Sequence, residues 1–203
     1  MAPGTSAVRP ADAPERKSAR ERLLDTAERL FYAEGVHTVG IDRVLEESGV
    51  AKASLYNNFG NKDGLVAAYL DRRHERQVAR VARALTAGQT PREQILAIFD
   101  SQRELFARPD YRGCAFAAAT AEGPVGGPNE ERSRIYRGYV RTVFARILHE
   151  AGVDNADTVA AQLHLIYDGA QMSARMEPDP SDPAIAANAR SLVEGLLDSI
   201  GLR

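Results

Sequence analysis

The stretch that decides the fold is IDRVLEESGVAKASLYNNFGNKDGL, Ile41 to Leu65. Ile41, Val44, Leu45 and Ser48 recur at helical spacing, and Gly49 stands where a helix ends in a left-handed residue. Lys52 to Asn58 supplies two more helical turns. Asn61 then suits the N-cap of a third helix that carries Asp63 in its first turn. Two short helices joined by a glycine turn follow the helix-turn-helix plan.

The second short helix sorts its own faces. At 100° per residue Leu55 and Phe59 point one way, and Ala53 and Asn57 the other, with Ser54 and Tyr56 on the flanks and Lys52 at the start. A small residue such as Ala53 lets a helix backbone approach a major groove. Asn57 is the side-chain type that pairs bidentately with adenine, and Ser, Tyr and Lys suit phosphates. An amphipathic surface helix with a solvated polar face would read the same way on these residues alone.

The run GVAKASLYNNFGNKDGL resembles the signature of the TetR family, G-V-S-x-x-x-L-Y-x-[HY]-F-x-[SN]-K-x-x-L. It matches without a gap at Gly49, Val50, Leu55, Tyr56, Phe59, Asn61, Lys62 and Leu65. FYAEGVHTVGIDRVLEESG upstream is also similar to the end of that family's first helix and its second helix, so the resemblance covers about the first third of the chain. It implies DNA contacts from Thr38, Arg43, Lys52, Ala53, Ser54, Tyr56, Asn57, Asn58 and Lys62. Three places depart from the pattern. Ala51 stands where a serine usually caps the recognition helix, a change that costs on the order of 1 kcal/mol. Val39-Gly40 replaces the usual Thr-Thr or Thr-Ser pair, and Asn58 replaces His or Tyr.

Composition is compatible with this reading. A chain of 203 residues can bury a real core as one or two domains. No apolar run approaches the ~18 residues of a membrane span, and the N-terminus lacks the apolar stretch of a signal peptide. The single Cys114 excludes an intrachain disulfide, and the expectation is a cytoplasmic protein. Net charge says little: residues 1–77 hold 12 Lys+Arg against 12 Asp+Glu, so the whole balance of −2 lies beyond them. Positive charge is local, at Lys17, Arg20, Arg43, Lys52, Lys62 and the cluster Arg72, Arg73 and Arg76.

In chain order, residues 1–15 are rich in Pro and Ala and are expected to be a disordered arm. Residues 16–77 form the DNA-binding head. Its first helix opens on a capping box, Ser18 with Glu21, shows Leu23, Leu24, Ala27, Leu30 and Phe31 on one stripe, and stops at Gly35. A continuous helix from Asn61 to about Ala84 joins head to body. Residues 78–203 form a larger helical ligand-binding and dimerisation domain. Thr90 caps a helix with Pro91 at its first position. Helices are expected over Asn129 to Ala151, with Ile135, Tyr139, Val143, Ile147 and Leu148 as its stripe, over Ala156 to Met176, and over Ala184 to Ile200. No strand period and no internal repeat is found, so the fold class is all-α, a three-helix helix-turn-helix head on a helical body.

In relatives of the resembled family the last two helices pair with their copies into a homodimer, and the two half-sites of a helix-turn-helix operator favour the same arrangement here. Their apolar stripes, among them Leu163, Leu192, Leu196 and Leu197, fit core burial within one subunit equally well. The family also implies a small-molecule pocket, for which Phe99, Gln102, Phe106, Cys114, Phe116, Tyr139, Val143, His164, Tyr167 and Gln171 are candidates. Each is also an ordinary core residue. No catalytic motif occurs, and His37, His74, His149 and His164 lack metal-ligand spacing, so neither an enzyme nor a cofactor is expected. The expectation is a repressor that binds a double-stranded palindromic operator and is released by an effector of unknown identity. An activator, or a helical interaction module without small-molecule control, is the alternative.

Overall fold

The computed structural model describes residues 17–123, 125–179 and 182–203. Among them the chain forms nine α-helices and no strand: α1 (Ala19–Glu34), α2 (Ile41–Ser48), α3 (Lys52–Phe59), α4 (Lys62–Ala87), α5 (Pro91–Phe106), α6 (Ala115–Glu122), α7 (Glu130–Glu150), α8 (Ala156–Met176) and α9 (Pro183–Ser199). The arm expected over residues 1–15 lies outside the described residues. No described helix is long and apolar enough to cross a membrane.

Local signals set the helix ends. Ser18 accepts from the Glu21 N–H while the Glu21 carboxylate accepts from the Ser18 N–H, and Thr90 and Glu93 repeat the same reciprocal pair at α5. Gly49 ends α2 at φ 61°, ψ 32°, the left-handed conformation that favours glycine. Asn61 caps α4 by accepting from the Gly64 N–H at 2.9 Å. Gly64 is glycine for a steric reason: a Cβ there would lie 1.9 Å from the Phe59 carbonyl oxygen.

Two apolar cores share the chain. The head core takes Leu23, Leu24, Ala27, Leu30 and Phe31 from α1, Val44 from α2, Leu55 from α3, and Leu65, Val66, Tyr69 and Leu70 from α4. The body core takes Val81 and Ala84 from the far end of α4 and the inner faces of α5, α7, α8 and α9. Helix α4 therefore spans both cores. Helix α6, although it comes late in the chain, buries Ala115, Phe116 and Ala119 in the head core.

The α7 stripe holds at Val143, Ile147 and Leu148, which are buried, and at partly buried Tyr139, but not at its start. Ile135 is 54% exposed, while Ser133, Val140 and Phe144 are buried. The first turns of α7 lie beside the head, where Tyr136 rather than Ile135 packs inward. On α9, Val193 and Leu197 are buried and Leu192 is 64% exposed, so the stripe divides into a core half and an open half.

Candidate nucleic-acid interface

The recognition helix is held from behind. Leu55 is fully buried in the head core and Phe59 is partly buried against it. An Arg22 Nη of α1 donates to the carbonyls of Ser48 and Gly49 at 2.6 and 2.9 Å, satisfying the end of α2 and fixing the turn. The start of α3 has no such help: Ala51 sits at the N-cap with extended φ/ψ and offers no side-chain acceptor.

The outward face carries Lys52, Ala53, Tyr56, Asn57 and Asn58, all exposed, with Ser54 half-buried on the flank. Asn58 is turned back on its own helix, its amide donating to the Ser54 carbonyl at 2.7 Å. Asn57 and Tyr56 point to solvent. Thr38 is exposed before α2, and half-buried Lys62 reaches the His37 carbonyl at 3.4 Å.

Carboxylates accompany the cations of this face. Arg43 donates to both oxygens of Glu34 and, through Nε, to Glu47 at 2.9 Å. Those acceptors, Glu34 first, raise its pKa further above the ordinary arginine range. Lys52 pairs with Asp42 at 3.3 Å. Several of the charges of residues 17–77 are therefore held in pairs. Arg20, counted in the sequence only as local charge, makes no ion pair among the described residues and lies 5.3 Å from the centre of the Phe59 ring.

The candidate pocket residues do not gather around one void. Phe99, Phe106, Val143 and Tyr167 are buried in the body core. Buried Gln102 donates to the Tyr167 carbonyl at 2.9 Å. Tyr139 meets His74 edge-on, and His164 contacts the Arg137 carbonyl at 3.0 Å. Cys114, Phe116 and Gln171 line a 290 Å³ cavity between α4, α6 and the α5–α6 loop. Cys114 and Gln171 also reach a 690 Å³ groove between α6, α7 and α8. Burial pushes the Cys114 thiol up, away from the thiolate. The residues absent from the sequence-based set are arginines of α4, whose spacing reads first as a solvated face. No group of His, Cys, Asp and Glu suited to a metal occurs among the described residues.

Comparison with known proteins places this geometry. The profile of bacterial regulatory proteins of the TetR family matches residues 23–69, from within α1 to the early turns of α4. A TetR-family transcriptional regulator from Streptomyces coelicolor superposes with a TM-score of 0.83 at 33% identity, covering 90% of this chain and 95% of that one. A TetR-type regulator from Streptomyces avermitilis gives 0.76 at 31% identity, covering 92% and 100%. An uncharacterised HTH-type regulator from Mycobacterium tuberculosis is 26% identical over 141 residues, 70% of this chain and 67% of its own. These are DNA-binding proteins and not enzymes. With the similarity running through head and body alike, the chain belongs to the TetR family of DNA-binding transcriptional regulators.

Proposed function

We propose that the protein works in the cytoplasm as a homodimeric repressor that holds a palindromic operator and leaves it when a small molecule enters the body. One observation carries this reading. Ala115, Phe116 and Ala119 of α6 are buried with the head, while Gly113, Cys114 and Phe116 form part of a cavity wall. A ligand that changes the cavity therefore acts on a helix the head cannot ignore. Release requires the ligand to prefer the conformation whose two heads are wrongly spaced for the operator.

In this reading α3 enters the major groove with Ala53 and Asn57 towards base edges. Thr38, Arg43, Lys52, Ser54, Tyr56, Asn58 and Lys62 face the phosphates on either side. The dimer forms through α8 and α9. Leu165, Met172 and Met176 on α8 and Leu192 on α9 are exposed and apolar, and a Cβ added at Gly169 or Gly195 would meet nothing. Leu165, Met172 and Met176 recur at helical spacing on one side of α8, so these apolar side chains are grouped rather than scattered.

The test is a gel shift on DNA upstream of the protein's own gene, at two salt concentrations, followed by transcription in vitro from the bound promoter. A salt-sensitive, sequence-specific shift with lowered transcript is expected. A raised transcript would make the protein an activator, and no specific shift would leave the helical interaction module.

A further inference from the structure

The α4 sequence RRHERQVARVAR, Arg72 to Arg83, repeats arginine at helical spacing. Arg73, Arg76, Arg80 and Arg83, with Gln77 among them, fall on one side of α4, and all five line the 290 Å³ cavity. Arg108, from just beyond α5, adds a fifth guanidinium. The one carboxylate in the wall among the described residues, Asp110, is already bound by Arg108 at 3.0 and 2.9 Å. From the head side, buried Glu28 of α1 is shared by Arg72, Arg73 and Arg76. Arg80 donates one Nη to the Tyr167 hydroxyl at 2.6 Å, but among the described residues its buried Nε has no hydrogen-bond partner, and neither has the buried Oε1 of Gln77.

A buried cationic N–H without an acceptor is a costly arrangement, and a planar guanidinium fork matches the oxygens of a carboxylate or phosphate. We propose that this cavity binds a small organic oxyanion, a compact carboxylic acid or phosphate monoester, as the effector of the protein. The size agrees: 290 Å³ stands at the lower end of the usual range for small-molecule sites. Arg73 and Arg76 explain how such a ligand is felt. They hold Glu28 and also face the cavity, so an anion competes with the head's own carboxylate for them. Occupancy then weakens the tie between α1 and α4.

This rests on the small-molecule reading above, and the experiment separates the two. Thermal unfolding of the full chain is followed in benzoate, in inorganic phosphate and in neutral benzamide at constant ionic strength, for wild type, Arg80→Gln and Arg83→Gln. The exposed Arg83 keeps the comparison valid if Arg80→Gln folds poorly. A rise of about 5 °C for wild type with one of the anions is expected, with most of it lost in the variants and about 1 °C or less in benzamide. Benzoate alone or phosphate alone identifies the headgroup. Equal shifts in wild type and variants, or none with either anion, overturn the site. Benzamide binding that also releases operator DNA keeps small-molecule control and overturns the anionic class. Anion binding that leaves the DNA bound keeps the site and overturns release.

Discussion

The guanidinium of Arg73 lies 3.6 Å from the centre of the Tyr32 ring, joining α4 to α1. The same tyrosine donates its hydroxyl proton to the Gly113 carbonyl at 2.9 Å and accepts the Arg112 N–H at 3.0 Å. One α1 side chain thus ties the head to α4 and to the loop that leads into α6. Tyr32→Phe keeps the ring beneath Arg73 and removes both hydrogen bonds, and should cost about 1–2 kcal/mol. Tyr32→Ala also removes the cation–π contact and should cost about 1 kcal/mol more. Urea unfolding measures both; a neutral Tyr32→Phe would show that the hydroxyl contributes nothing at this junction.

Restoring the missing cap offers a gain. Ala51 has φ −63° and ψ 143°, the extended backbone an N-cap adopts, without a side-chain acceptor for the first turn of α3. Ala51→Ser should stabilise the head by about 0.5–1 kcal/mol. A denaturation midpoint that does not rise would mean the serine oxygen fails to reach those N–H groups.

The two halves of the α9 stripe separate assembly from folding. Leu165→Glu with Leu192→Glu changes only exposed positions and should give a folded monomer by sedimentation, with native circular dichroism. Leu197→Glu places a carboxylate in a fully buried site and should unfold the body. A dimer that survives the double change would move the interface away from α8 and α9.

Much of this was legible in the sequence because the informative signals are local. Ser18 with Glu21, Thr90 with Pro91, and Gly49 each act within one turn, so three or four residues suffice to read them. What was not legible depends on which elements meet. The segment YRGCAFAAATAEG has too few large side chains to show a period, and nothing local says that Ala115 and Phe116 pack with the head. Leu192 and Leu197 are chemically alike, and only the packing of α9 distinguishes an open face from the core. The arginines of α4 look like a solvated face until α5, α6 and Glu28 close around them.

Acid should loosen the head first at its paired carboxylates. The Lys17 hydrogen bond, then Arg72, holds the Asp25 carboxyl below its ordinary range, and Arg29, then Arg43, does the same for Glu47. A carboxylate whose folded pKa is depressed contributes stability above its unfolded pKa, and that contribution is lost as pH falls through the folded value. Head stability should therefore be level above about pH 5 and decline below about pH 4. The decline should be small, since both carboxylates keep about a third of their side-chain surface in water, and weaker at high salt. Asp25→Asn should blunt it in urea titrations; an unchanged acid limb would exclude Asp25 as a contributor.

The division of labour on the DNA face makes the sharpest prediction. Asn57 is exposed on α3, on the opposite side from buried Leu55, where a base edge would sit. Asn57→Ala should cost roughly 1–3 kcal/mol per lost base contact and relax preference at one position in each half-site. Lys62, whose Nζ already lies at the backbone carbonyl of His37, is placed for a phosphate. Lys62→Ala should weaken all sequences alike and reduce the salt slope by about one per contact removed, or about two per dimer. Tyr56→Phe should also weaken all sequences alike, because a hydroxyl to a phosphate carries no sequence information, while the salt slope stays near that of wild type. Selection from an operator library at two salt concentrations measures all three. A preferred sequence that survives Asn57→Ala but shifts with Lys62→Ala would reverse the assignment of the two faces.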